Sequence, residues 1–111
     1  MTQYAAALEA IDRILNRGGE ADDVLRAVLA ALHERGVTYA AIRFVEDGVL
    51  VDGPRIGARA EGCVTPIVYE GNRVGELELA VEDATFARRV ATLISAHVLV
   101  AWDTGGEAWT P

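Results

Sequence analysis

The stretch Cys63-Val64-Thr65-Pro66-Ile67-Val68-Tyr69-Glu70-Gly71-Asn72-Arg73-Val74-Gly75-Glu76-Leu77-Glu78-Leu79 governs how this chain folds. Two runs rich in β-branched residues flank a glycine-asparagine break, the pattern of two antiparallel strands joined by a tight turn. The reading is a strand over 63–70, a turn at Gly71-Asn72 and a strand over 73–81. In the second run Leu77, Leu79 and Val81 alternate with Glu76 and Glu78. A period of two with that chemistry describes a sheet with one apolar and one wetter face.

Working toward the N-terminus, residues 38–46 repeat the period. Ala40, Ile42 and Phe44 fall on one face, and Tyr39, Ala41, Arg43 and Val45 on the other. Asp47-Gly48 follows as a two-residue hairpin signal, because both residue types accept the positive φ of such a turn, and 49–51 is the expected return strand. Residues 52–62 hold three glycines and a proline and are expected to be irregular. Before this hairpin the period is helical. Tyr4, Leu8, Ile11 and Leu15 mark one helix ending at Gly18-Gly19, and Val24, Leu25, Val28, Leu29 and Leu32 mark a second ending at Gly36.

Beyond the quoted stretch, Asp83 or Thr85 is placed to cap a last helix running to about Asp103. Its first stripe is Phe86, Val90, Leu93, Ile94, His97 and Ala101. Its other side carries Ala91, Val98, Leu99 and Trp102, too apolar for a face bathed in water. Residues 1–103 make one domain, and 104–111 a tail that is either disordered or docked through Trp109.

Composition narrows the function. The chain has 111 residues, the size of one domain, and half of them are hydrophobic, enough for a core without disulfide or metal. The net charge of −7, with scattered arginines, argues against nucleic acid. Every basic residue is arginine, which removes Schiff-base and phosphate-loop lysines. The apolar run around residues 98–102 is too short for a bilayer, and the N-terminus lacks the basic start of a leader. No membrane association and a cytoplasmic location are therefore expected.

The order helix, helix, hairpin, connection, hairpin, long helix resembles the GAF domains. The quoted stretch is similar to their closing hairpin, an apolar strand with an internal proline, then a turn, then a second strand of the form V-G-x-L-x-L. Here that strand reads Val74-Gly75-Glu76-Leu77-Glu78-Leu79. Phe86 and the long helix after it fit as well. The resemblance implies an α+β fold: a central antiparallel sheet of four to five strands, with the N-terminal and C-terminal helices packed mainly on one face. It also implies a sensing or regulatory role. GAF domains that hold small molecules carry a long insert between the hairpins that walls the pocket; only 52–62 stands there in this chain. Recognition is therefore expected on outer surfaces.

Arg43, Glu76 and Glu78 project from one sheet face with Tyr39 nearby, and Arg55 and Arg59 lie on the connection. These six residues are the candidate ligand-binding set, an arginine fork for a carboxylate or phosphate. The simpler reading is a cross-strand salt-bridge lattice. The second apolar side of the last helix (Val98, Leu99, Trp102), beside Ala6, Ala10 and Ile14 of the first helix, is a candidate homodimer interface.

No catalytic residue, metal or cofactor is proposed. Cys63 has no second thiol to resolve an oxidised intermediate and reads as a packed hydrophobe. His33 and His97 have no ligand-spaced partners and read as histidines satisfied by carbonyls. Ser95, the one serine, lies inside a helix. The leading function is a non-catalytic regulatory or interaction module dimerising through its terminal helices, with a signalling protein as a further partner. The alternative is a sensor of an anionic metabolite or nucleotide on the polar sheet face.

Overall fold

Each amphipathic run finds its partner in the sheet and helices of a computed structural model, which describes residues 2–105, with side chains for 4–101. Helices α1 (Thr2–Arg17) and α2 (Ala21–Glu34) precede strands β1 (Tyr39–Glu46), β2 (Val49–Gly57), β3 (Cys63–Tyr69) and β4 (Asn72–Leu79), and α3 (Ala84–Gly105) closes the chain. The sheet is antiparallel in the order β2-β1-β4-β3. The expected fold class, an α+β fold with an antiparallel sheet of four to five strands and helices mainly on one face, is the observed one, with four strands.

The helix-facing side of the sheet carries Ala40, Ile42, Phe44, Ile67, Leu77 and Leu79, all but excluded from solvent. Against them α2 sets Val24, Leu25, Val28, Leu29 and Leu32, and α3 sets Val90, Ile94, Val98 and Ala101. Helix α3 covers β3 and β4, and α2 covers β1 and β2. Helix α1 packs on α2 and α3, with Tyr4 stacked on Phe86 at a ring-centroid distance of 4.3 Å. Asp83 caps α3 as expected, its Oδ1 accepting the Phe86 N–H at 3.1 Å. The window Ala84–Ala101 has a mean hydropathy of 1.2, long and apolar enough to cross a membrane by composition; in the fold its apolar side is core.

Three sequence expectations are corrected. Strand β2 runs to Gly57 rather than ending at residue 51, so residues 52–57 are not irregular. A bulge accommodates the glycine and proline: Ala41 pairs with Arg55 and Arg43 with Asp52, leaving Gly53 and Pro54 opposite Ile42. Proline is tolerated because β2 is an edge strand, and Pro66 lies on the other edge, β3. The second turn is Glu70-Gly71 rather than Gly71-Asn72, with φ of 51° and 84°, matching Asp47-Gly48 at 52° and 79°. A two-residue hairpin needs positive φ at both central positions, and closing on Tyr69 and Asn72 starts β4 one residue early. Helix α3 extends to Gly105, so Thr104 and Gly105 are helical rather than tail; the rest of the tail, with Trp109, lies outside the described residues.

The connection from β2 to β3 joins the two opposite edges of the sheet, a span of three strand spacings, roughly 14 Å. From Gly57 to Cys63 the chain can reach at most roughly 21 Å. The link is therefore a short strap, and glycines let it lie on backbone. A Cβ on Gly57 would strike the Thr38 carbonyl oxygen, and one on Gly62 the Leu79 carbonyl oxygen. The strap thus crosses the sheet end where β1 begins and β4 leaves.

Candidate functional site on the polar sheet face

Strand register assembles the site. Arg43 on β1 stands opposite Glu76 on β4 and, on its other side, opposite Asp52 on β2; Ala41 stands opposite Glu78. Directly opposed side chains share a face and meet. Arg43 donates from Nη1 to Glu76 Oε1 at 3.0 Å and from Nη2 to Glu78 Oε1 at 2.6 Å, and its Nε lies 3.9 Å from Asp52 Oδ1. Arg73 Nη2 donates to Glu76 Oε2 at 2.9 Å, and Arg59 Nη2 lies 4.0 Å from Glu78 Oε1.

The side chains of Arg43, Glu76 and Glu78 are 17%, 15% and 9% exposed, so these ion pairs are largely removed from water. The hydrogen bond to Glu78 holds the Arg43 guanidinium above its ordinary pKa; burial opposes this, and the charges of Glu78 and Glu76 add to it. Arg43 is therefore a fixed cation with both terminal nitrogens turned to carboxylates. It serves the lattice, and the expected arginine fork for a ligand is already occupied.

The structure brings the other candidates to the same place. A partly open hollow of about 300 Å³ lies beside Arg43, lined by Tyr39, Asp52, Gly53, Arg55 and Arg59 among others. A second hollow, of about 370 Å³, adjoins it and shares Tyr39, Arg55 and Arg59. That volume sits at the lower end of small-molecule sites. It qualifies the expectation that the short connection leaves only outer surfaces for recognition: the strap raises Arg59 into a partial wall. Tyr39 is buried although it belongs to the polar face. Arg55 has no carboxylate at ion-pair distance among the described residues, and Arg59 makes one loose pair.

Sequence reading missed Asp52 and Arg73. Asp52 was legible: the Asp47-Gly48 turn pairs Glu46 with Val49, and counting outward reaches Arg43 and Asp52. The break at 52–62 stopped the count. Arg73 meets Glu76 because Val74 is bulged out between Ile67↔Gly75 and Val68↔Arg73, which periodicity does not reveal.

The dimer candidates separate. Val98 is fully buried, because Gly75 has no side chain and Val98 Cγ1 fills the space above it; a Cβ there would come within 3.1 Å. Ala10 is buried on the inner side of α1. Neither is available to a second subunit. Ala6 is exposed, Leu99 is 36% and Val100 47% exposed, and the Trp102 side chain lies outside the described residues.

The remaining singled-out groups are engaged in the fold, with one exception. Cys63 Sγ donates to the Val81 carbonyl at 3.3 Å and Ser95 Oγ to the Thr92 carbonyl at 3.0 Å. A hollow of about 610 Å³ beside Cys63 is flanked by Glu61 and Glu82 and has no basic residue in its lining among the described residues. His33 Nδ1 meets the Val37 carbonyl at 3.2 Å, whereas His97 Nδ1 is buried with no hydrogen-bond partner among the described residues, contrary to expectation. No three potential metal ligands converge among the described residues.

No protein-family model matches the sequence, and no curated protein matches it. The architecture is similar to the crystal structure of the GAF domain from Acinetobacter phosphoenolpyruvate-protein phosphotransferase. The TM-score is 0.70 at 12% identity, over 96% of this chain and 98% of that one. The likeness is one of fold: the chain has a GAF-like fold.

Proposed function

We propose that this GAF-like domain is a non-catalytic regulatory module that receives a small anionic molecule on its polar sheet face. One observation carries the reading. The hollow beside Arg43 gathers four of the six residues singled out from the sequence (Tyr39, Arg43, Arg55 and Arg59) at one place. Glu76 and Glu78 lie beneath, neutralising Arg43. A non-catalytic role is supported by how the nucleophiles are engaged. The Cys63 thiol and Ser95 hydroxyl are both tied to backbone carbonyls rather than to a base that would activate them.

A ligand that binds the folded state alone raises thermal stability by mass action. Screening a panel of carboxylates, phosphate esters and nucleotides by thermal melting should give a concentration-dependent rise with some anionic member, and Arg55→Glu should abolish it. A rise that survives Arg55→Glu unchanged would place binding elsewhere. A flat response across the panel would remove the sensing role.

A second reading, homodimerisation through the terminal helices, is favoured by the adjacent exposed side chains Leu99 and Val100 on α3. The loss of Val98 and Ala10 to the core leaves this surface smaller than the sequence suggested.

A further inference from the structure

Within the polar face, the cations differ in what they have left to give. Arg43 turns both terminal nitrogens to glutamates and its Nε toward Asp52. Arg73 is hydrogen-bonded to Glu76. Arg55 has no such partner among the described residues, and Arg59, with a side chain 73% exposed, has one loose pair at 4.0 Å. Both line each of the two adjoining hollows, and Tyr39 lies between them.

We infer that the ligand is a single compact oxyanion, a carboxylate or a phosphate monoester, bridged by Arg55 of β2 and Arg59 of the strap, with Arg43 left in its lattice. This rests on the reading above and narrows it to a ligand class and to two residues. The charges that line the nearer hollow are Arg43, Arg55 and Arg59 against Asp52. With Arg43 matched by Glu76 and Glu78 below, the surplus positive charge sits on the two outer arginines. Guanidinium groups pair with carboxylate and phosphate oxygens in a planar, charge-assisted geometry. A hollow of about 300 Å³ accommodates such a headgroup with a short organic body.

The strap makes the contact consequential. Residues 58–61 run between Gly57 and Gly62, both seated on neighbouring backbone, so the segment carrying Arg59 is anchored at both ends. An oxyanion that takes Arg59 ties the strap to β2 and relaxes the claim of Arg59 on Glu78, which then belongs to Arg43 alone. Occupancy is thereby read at the end of the sheet where β1 starts and β4 runs toward α3.

The test is titration of the whole chain with inorganic phosphate and, separately, with acetate and malonate at constant ionic strength. The readout is the side-chain Nε–H resonances of the arginines. The Arg55 and Arg59 signals should move together and saturate, while those of Arg43 and Arg73 stay within a small fraction of that shift. Arg55→Gln and Arg59→Gln should each weaken binding by about tenfold, the loss of one charge-assisted pair. Arg89→Gln, the same change of charge on exposed α3, should leave it unaltered. Saturation by phosphate but not by the carboxylates, or the reverse, identifies the headgroup and supports the inference in either case. If a metabolite stabilises the domain but moves Arg43 and ignores Arg59→Gln, the sensing role stands and this assignment is overturned. If the arginine signals drift without saturating for every anion, the assignment is likewise overturned, and melting with the wider panel decides the sensing role separately.

Discussion

Arg43 shows how one side chain can govern a face. Its neighbours are chosen by register, which sets Glu76 and Asp52 opposite it and Glu78 on the diagonal. Removing a partner from a desolvated pair leaves uncompensated charge, so Arg43→Ala should cost about 3 kcal/mol, the lower end for buried pairs because each side chain keeps some solvent. Urea unfolding measures it. The double variant Arg43→Met/Glu78→Leu should lose less than Arg43→Ala, since apolar replacement of both partners avoids the stranded charge. The pH dependence has a definite sign. The Arg43 pKa is raised in the folded state, so its contribution is complete at neutral and mildly alkaline pH, below the ordinary arginine range. It is lost only as the pH climbs through the raised value. Urea midpoints from neutral to mildly alkaline pH should show no step from this group.

At the level of elements, glycine separates turn from strap. Gly48 has a φ of 79° and open space where a Cβ would stand, so Gly48→Ala should cost about 1 kcal/mol, the strain of a left-handed residue. Gly57 has a φ of 87° and the Thr38 carbonyl in the way, so Gly57→Ala should cost about 3 kcal/mol. Thermal melting of the two variants orders them directly, and equal costs would mean that the strap is not seated on the start of β1. The hairpins, by contrast, are local. Each is closed by two residues of positive φ, and apart from one bulge in each their registers follow from the turn.

For the whole molecule, the division of labour between the two sheet faces matters most. One face is consumed by α2 and α3 to form the core, and the other carries the ion-pair lattice and the hollow. The outer side of α3 is left with Leu99 and Val100 exposed. If the terminal helices pair two copies, sizing at high micromolar concentration gives a dimer, and Leu99→Asp shifts it to monomer without lowering the melting temperature of the monomer. A wild-type chain that already runs as a monomer there would remove this reading. Binding at the hollow and pairing through α3 use separate surfaces, so neither experiment confounds the other.

Read alone, the sequence settled which side of α2, β1 and β4 faces the core. Residues 39–45 and 76–81 alternate with a period of two, residues 4–15 and 24–32 with a helical period, and these periods are properties of the local chain. The meeting of Arg43 with Glu76 and Glu78 was legible for the same reason, because all three fall on the polar side. The length of β2, the strap, the burial of Val98 and the hollow emerged only when the elements packed together. Each of these depends on the strand order β2-β1-β4-β3, which sets two distant edges that a short link must join and brings Gly75 beneath Val98. Periodicity tells which way a side chain points; it carries no record of what another part of the chain places in front of it.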